Sequence, residues 1–500
     1  MGVDGPGSKT GGSPHDGTLS EMEGFFNPRG VAVAGASKTG MKLGNVVLSN
    51  LLRLGYRGRI YPLHPEGGEI MGIPAYPDLR SLGEAVDLAV SVLPRESTQA
   101  FVEECAAAGV RRVIVSAAGF ADDGEEGRRM QERLAETARR SGMRLMGPNS
   151  VGTVSTHSGL ATSLMTLEPL RPGNISIVAQ TGLFAGGFAR WISSTQRFGL
   201  AKVACLGNKA DVDEVDVLAY LQEDPQTAVV AVYTEGLRHG RKFLELAREV
   251  TERKPIVLLK GGRTDLGARM AAGHTGSLAG EDAVYRGALT QAGVVQVEDI
   301  EGLFGCAKAL SYCPLPRGPK VGVVSITGAG TVLVADACRM RGLELPPLRE
   351  ETLRRVRKSV PEWASLGNPA DIWSATLSSG VEGGYRELLR AVAGQEDVDL
   401  LVVLFTLVPE SEFDAASFLG DVREEHPEKP VLACLLGASR EDGERWFYRL
   451  EEIGIPVYTS IERCVEAAWA LVRAARRRAA ERREYAPEGT HLGESPGRRP

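Results

Sequence analysis

One of the seven histidines is set apart by its neighbours. His274 lies in Ala271-Ala272-Gly273-His274-Thr275-Gly276-Ser277-Leu278-Ala279-Gly280, downstream of a second glycine run, Gly261-Gly262-Arg263-Thr264. Flanking glycines predict an accessible, mobile loop, and a neutral imidazole is nucleophilic near pH 7. A lone loop histidine is more often incidental than catalytic, so spacing alone leaves both readings open. The other six lack this setting. His15 and His491 lie in tails, His239 and His426 in charged helical stretches, His157 in a linker and His64 at a strand end.

A second group of residues has the chemistry of an anion cradle. Residues 31–34 form an apolar strand running into Gly35-Ala36-Ser37, then Gly40, Lys42, Gly44 and a helical pattern. Glycine lets backbone approach a phosphate, and a helix N-terminus supplies unpaired N–H donors and roughly +0.5 charge. The spacing is not G-x-G-x-x-G. The next strand ends in Tyr61-Pro62-Leu63-His64-Pro65, without an acid to grip a ribose 2′-OH. The turn points to a nucleotide-like ligand other than NAD; the alternative is glycines that only pack helix on strand. Further strand ends, at Leu93-Pro94, Ser116-Ala117-Ala118-Gly119 and Gly147-Pro148-Asn149, carry few charges and suit a long, partly apolar ligand.

The elements that must position these residues recur along the chain. Short β-branched runs at 31–34, 86–93, 112–116, 175–178, 229–233, 256–259, 321–326, 400–405 and 431–436 alternate with amphipathic helical patterns. This alternation predicts parallel sheets covered on both faces, an α/β doubly wound class. With 500 residues, about three domains are expected. The breaks fall at 153–173 and 312–319. They give a disordered tail over 1–19, units over 20–152, 174–310 and 320–475, and a basic, Pro/Gly-rich tail over 476–500.

Composition removes several classes. Net charge is −6, which gives no general attraction for nucleic acid or anionic membranes. No apolar run approaches the ~20 residues of a membrane span, and the N-terminus lacks a signal pattern. Seven scattered cysteines without a CxxC pair argue against a disulfide framework or zinc site, and for a reduced cytoplasm.

Units two and three read as copies. ISIVAQTG is echoed by VGVVSITG, and LGNKAD by LGNPAD, in the same order. Two ordered echoes make duplication the natural explanation.

The strings GASKTGMKLG, YPLHPEGGEIMG, DLAVSVLP, SAAGF and MGPNSVG resemble the coenzyme A-binding domain of the NDP-forming acyl-CoA synthetases, relatives of succinyl-CoA synthetase. The resemblance runs to about residue 470 and fits the α subunit of the ADP-forming acetyl-CoA synthetase type. It implies an N-terminal Rossmann-like CoA-binding domain followed by two flavodoxin-like, succinyl-CoA synthetase-like domains. It also implies coenzyme A contacts at Gly35, Ser37, Lys42, Pro65, Pro94, Ala118 and Asn149. AAGHTGSLAG is similar to the family's phosphohistidine loop, commonly AASHTGSLAG, which makes His274 the implied phosphoryl carrier.

Phosphohistidine chemistry needs a carboxylate to orient the ring, and Glu235 in Tyr233-Thr234-Glu235-Gly236 matches the family's glutamate; otherwise it is a surface carboxylate. The phosphoryl group needs donors. Gln180-Thr181-Gly182, before a helix expected over 183–191, and Thr327-Gly328-Ala329-Gly330, before another, would supply two helix N-termini converging on one anion. Ala179 and Ile326 depart from the family's SQSG and NAGGPG turns. No metal site is expected on this chain. The resemblance implies that Mg²⁺ and ADP/ATP sit on a separate ATP-grasp β subunit, in an α2β2 heterotetramer. A loop of about ten residues over 261–276 could reach on the order of 30 Å toward it. The expected reaction is acyl-CoA, phosphate and ADP to acid, ATP and coenzyme A through acyl phosphate and phosphohistidine. The altered turns keep a second reading open, a non-catalytic CoA- or acyl-CoA-binding homologue. A third, an NAD-dependent dehydrogenase, rests on the first fold alone.

Overall fold

The computed structural model describes residues 21–40, 42–84, 86–275, 281–364, 366–406 and 413–484. The 1–19 tail lies outside them. Three sheets carry the chain. The first has order β2-β1-β5-β6-β7, from β1 (Gly30–Ala34), β2 (Arg59–Leu63), β5 (Leu88–Ser91), β6 (Arg112–Val115) and β7 (Arg144–Met146); a hairpin of β3 (Gly68–Ile70) and β4 (Ile73–Ala75) is inserted after β2. The second has order β14-β13-β12-β10-β11-β8-β9. Its strands are β8 (Gly152–Ser155), β9 (Leu160–Ala161), β10 (Pro172–Ala179), β11 (Leu200–Cys205), β12 (Val229–Thr234), β13 (Ile256–Lys260) and β14 (Val295–Val297). The third is β16-β15-β17-β18-β19, from β15 (Val321–Ser325), β16 (Ala370–Asp371), β17 (Leu400–Thr406), β18 (Val431–Leu436) and β19 (Val457–Tyr458).

Each sheet contains five parallel strands in the order 2-1-3-4-5. The strands are buried almost throughout, because helices cover both faces; hence their continuous apolar runs. In this topology a crevice opens beyond the carboxyl end of the first strand, where the chain order reverses. Gly35, Gln180 and Ile326 occupy that place in the three sheets.

Four local features differ from the sequence expectations. The 153–173 break is not merely a linker, since β8 and β9 extend the second sheet antiparallel to β11. Its hydroxyls pair inward, with the Thr153 N–H donating to Thr162 Oγ1 at 2.8 Å and Thr153 Oγ1 to the Phe25 carbonyl at 2.8 Å. The tail expected from 476 begins as the end of helix Ile461–Glu484. There Arg477 reaches Glu252 at 2.9 Å and the Arg248 carbonyl at 3.0 Å, so the Arg-rich run docks on helix Gly240–Arg253. The helix expected over 183–191 is a π-helical turn, Phe184–Phe188, followed by Ala189–Thr195. Gly186 in this turn packs against Met165, whose Sδ would lie 2.3 Å from a Cβ there.

The fourth difference bears on chemistry. The stretch expected as a mobile loop contains helix Asp265–Thr275. Thr264 caps it, accepting the Gly267 N–H at 3.1 Å on Oγ1, and the Leu, Ala, Arg and Met that follow are strong helix formers. Local propensity overrides the glycines at 267 and 273.

The second and third sheets share one apolar core through helices Ile300–Tyr312 and Ile461–Glu484. A buried ion pair bridges them, Lys308 Nζ lying 2.6 Å from Glu451 and 2.7 Å from the Val457 carbonyl.

Candidate active site

A cleft of about 1080 Å³ lies at the carboxyl end of the first sheet. Gly35, Lys42, Pro65, Pro94 and Ala118 line it. Gly35 has φ +96°, and a Cβ there would come within 2.4 Å of the Val92 carbonyl oxygen, so only glycine fits. Gly44 lets helix Leu43–Arg53 pack on this turn; a Cβ would lie 2.5 Å from Ala36 N. Lys42 makes no side-chain cap at this helix N-terminus, an end whose partial positive charge favours an anion.

Two expected contacts sit elsewhere. Ser37 is buried, its N–H donating to Asn45 Oδ1 at 2.9 Å and its hydroxyl to the Thr39 carbonyl at 2.7 Å. It shapes the turn from behind. Asn149, at φ +58°, donates its N–H to the Ala117 carbonyl at 2.8 Å, and its amide lies 3.4 Å from Asn208. That places it at the seam between the first two sheets. Gly207 completes this seam, because a Cβ there would meet the Pro148 carbonyl oxygen at 2.2 Å.

At the switch point of the second sheet, the structure joins Gln180 to Glu235. The Glu235 N–H donates to Gln180 Oε1 at 2.9 Å. Lys209 Nζ donates to the same oxygen at 3.1 Å, to Glu214 Oε1 at 2.9 Å and to the Gly236 carbonyl at 2.6 Å. Thr234 Oγ1 donates to Glu214 Oε1 at 2.7 Å. All five side chains are buried, with Lys209 at 3 % and Glu214 at 2 % exposure, so each charge depends on its partners. Tyr233 lies 3.3 Å from Glu235 Oε1; burial first, then the neighbouring carboxylate, pushes its phenol up to about 12.

Lys260 closes β13 beside this group. Its ammonium donates to the Glu235 carbonyl at 2.7 Å and to the Gly261 carbonyl, and lies 4.9 Å from the centre of the Tyr285 ring. Burial lowers its pKa. Gly261 follows, and a Cβ on it would sit 3.3 Å from Glu235 Cγ. The segment bearing His274 is thus rooted against the glutamate. At 1.5 Å per residue, His274 stands about 14 Å along its helix from Asp265. The His274 side chain lies outside the described residues. A cavity of about 630 Å³ adjoins this root, lined in part by Tyr233, Lys260 and Gly261.

The second turn is built differently. Thr327 precedes helix Gly328–Met340 and makes no side-chain cap; Ser325 Oγ accepts the Thr327 N–H at 3.1 Å and donates to its carbonyl at 2.9 Å. Gly328 and Ala329 are exposed, Gly330 is buried. A Cβ on Gly328 would lie 3.3 Å from an Asp371 carboxylate oxygen, so this helix N-terminus already faces a negative charge. Ile326 is buried in the third core. The turn at Thr181 and Gly182 leads into the π-helical stretch instead of a regular helix.

Sequence reasoning missed Lys209, Glu214 and Thr234. Lys209 was legible only as part of the LGNKAD echo, where the third unit has Pro369. Among the described residues no group of three or more His, Cys, Asp or Glu comes together to hold a metal, and no helix is long and apolar enough to cross a membrane. None of the seven cysteines is bridged.

Comparison with known proteins defines the class first. Residues 29–156 match a CoA binding domain and residues 172–310 a succinyl-CoA ligase like flavodoxin domain. An ADP-forming acetate–CoA ligase II subunit alpha of Pyrococcus furiosus is 35 % identical over 457 residues, 90 % of this chain and 97 % of that protein. The ADP-forming acetate–CoA ligase II of Archaeoglobus fulgidus is 34 % identical over 93 % of this chain and 68 % of its own length. Among solved structures, Ca. Korarchaeum cryptofilum dinucleotide forming acetyl-coenzyme A synthetase 1, in complex with phosphate and ADP, superposes with a TM-score of 0.85 at 32 % identity, covering 93 % of this chain and 99 % of that one. The chain belongs to the family of ADP-forming acetate–CoA ligases and aligns with its alpha subunits.

Proposed function

We propose that this protein is the α subunit of a cytoplasmic acyl-CoA synthetase that interconverts acyl-CoA, phosphate and ADP with acid, coenzyme A and ATP. The observation that carries this reading is the contact of Glu235 with Gln180 and with Gly261, at the root of the His274 helix. Coenzyme A fits the first cleft, whose Gly35 turn admits backbone to a phosphate and whose proline-edged, partly apolar walls suit a pantetheine arm. Phosphate oxygen attacks the thioester carbonyl, the C–S bond breaks, and coenzyme A leaves as thiolate. His274 nitrogen then attacks phosphorus of the acyl phosphate, and the carboxylate leaves. Glu235 accepts the hydrogen on the ring's other nitrogen, stabilising the charge that develops there. Donors from Gln180, Thr181 and Gly182, with Thr327, Gly328, Ala329 and Gly330 from the third unit, receive the phosphoryl oxygens.

The phosphoryl group then passes to ADP, held with Mg²⁺ on an ATP-grasp β subunit in an α2β2 assembly. Helix Asp265–Thr275 would move as a rigid arm on the Gly261-Gly262 hinge, a smaller entropic cost than ordering a loop. The test is turnover in both directions with the partner present. His274→Ala should bind coenzyme A as wild type does and turn over neither way. Turnover by this variant would refute the reading, and a wild-type chain that binds acyl-CoA yet is inactive with every cognate partner would establish the non-catalytic homologue.

A further inference from the structure

We infer that Lys209 is a positioning residue that fixes which face of the Gln180 carboxamide meets the phosphoryl group; this rests on the function proposed above. Lys209 sits at φ +57° after β11, with its ammonium 3 % exposed. All three of its hydrogens have acceptors, in Glu214 Oε1, Gln180 Oε1 and the Gly236 carbonyl.

Gln180 therefore faces two groups that can only donate, the ammonium and the Glu235 N–H at 2.9 Å. A carboxamide turned by 180° would oppose its own N–H hydrogens to both. The oxygen must point at Lys209, and the Nε2 hydrogens the opposite way. The Thr234 hydroxyl also lies 3.4 Å from Gln180 Oε1 and 3.2 Å from the Gly236 carbonyl, but its single hydrogen has its shortest acceptor in Glu214 Oε1 at 2.7 Å, so the ammonium at 3.1 Å is the stronger donor to Gln180. Without the ammonium, Gln180 Oε1 loses its one charged donor among the described residues, and the direction of its donor face is held less firmly. Lys209 touches no reacting atom in this scheme; it acts through Gln180 and through the Gly236 carbonyl next to Glu235.

The third unit supports the pairing. Pro369 stands at the position of Lys209 and Ile326 at that of Gln180, so both members are absent together.

The test uses the full chain with its partner and reads the KM for phosphate, kcat, coenzyme A affinity and thermal midpoint. Lys209→Met alone strands the buried Glu214, so the double variant Lys209→Met/Glu214→Gln is measured. Its phosphate KM should rise about 10- to 100-fold, the range for losing a hydrogen bond to a charged group, with coenzyme A affinity unchanged. A merely structural lysine would instead lower the midpoint and leave phosphate KM alone. Gln180→Glu keeps both acceptor contacts but removes the Nε2 donor, and should raise phosphate KM at least as much. Wild-type phosphate KM in the folded double variant, or in Gln180→Glu if the double variant does not fold, overturns the inference. A wild-type chain that turns over no phosphate overturns the proposed function beneath it, a distinct outcome.

Discussion

The parallel strands of the second and third sheets have the same order, yet among the described residues the buried Lys–Glu network lies at the switch point of the second alone. Ile175 pairs with Val229 and Val321 with Leu400, which aligns the sheets residue by residue. Gln180, Thr234 and Glu235 then correspond to Ile326, Phe405 and Thr406, and the shared LGN motif aligns Lys209 with Pro369 and Glu214 with Ser374. In the third unit Phe405 packs on Tyr385 at 4.7 Å and on Trp446 at 5.3 Å, and the Tyr385 hydroxyl is satisfied by the Leu404 carbonyl. The fold supplies the crevice; a few residues decide whether its strand ends pack aromatic side chains or hold a buried ion pair. Such a network is all-or-none, because a buried polar group without its partners costs more than an apolar one.

Breaking the network on each side should expose this asymmetry. The largest effect is expected for Glu235→Gln, with kcat lower by on the order of 10²–10⁴-fold in either direction, measured by steady-state turnover with the partner. Exchange of the aligned pair comes next. Gln180→Ile should abolish measurable phosphate saturation, whereas Ile326→Gln should cost only about 1–3 kcal/mol of stability, read by urea unfolding, by burying an amide among apolar side chains. Equal losses of activity from the two exchanges would contradict the division of labour between the units.

The joint between the sheets gives a purely structural control. Lys308→Met leaves Glu451 unpaired in the shared core and should cost about 3–5 kcal/mol in urea unfolding, while Lys308→Met/Glu451→Met should recover most of it.

The smallest effects are in pH dependence. Lys260 has a folded-state pKa below 10.5, so the folded chain binds fewer protons there than the unfolded chain. Wild type should gain stability relative to Lys260→Met as pH rises from that lowered value toward 10.5. Tyr233 works oppositely. Its phenol stays protonated up to about 12 when folded, so stability relative to Tyr233→Phe should fall as pH rises above 10. Difference melts across pH 8–11 check both signs.

The glycine turn and the strand ends that frame the first cleft were legible from residue types and order. As coenzyme A contacts, Gly35, Lys42, Pro65, Pro94 and Ala118 were implied by resemblance to the family; they line one cleft because a 2-1-3-4-5 sheet gathers strand ends at one crevice. Gln180 and Glu235 were read apart, and adjacent β10 and β12 bring them together. Ser37 and Asn149, implied by the same resemblance, are not among the residues that line the first cleft. Backbone hydrogen bonding turned the first behind its turn, and domain packing took the second into a seam. Lys209 was invisible because its partners lie 5 to 29 residues away. The His274 segment was misread as a loop because two glycines outweighed the helix formers around them.

The central claim is that His274 carries the phosphoryl group. Wild-type chain, its partner and radiolabelled ATP should yield an acid-labile, base-stable label that maps after trypsin to the peptide over 270–286, and His274→Ala should yield none. A label on any other peptide, or one that survives the substitution, would contradict the account.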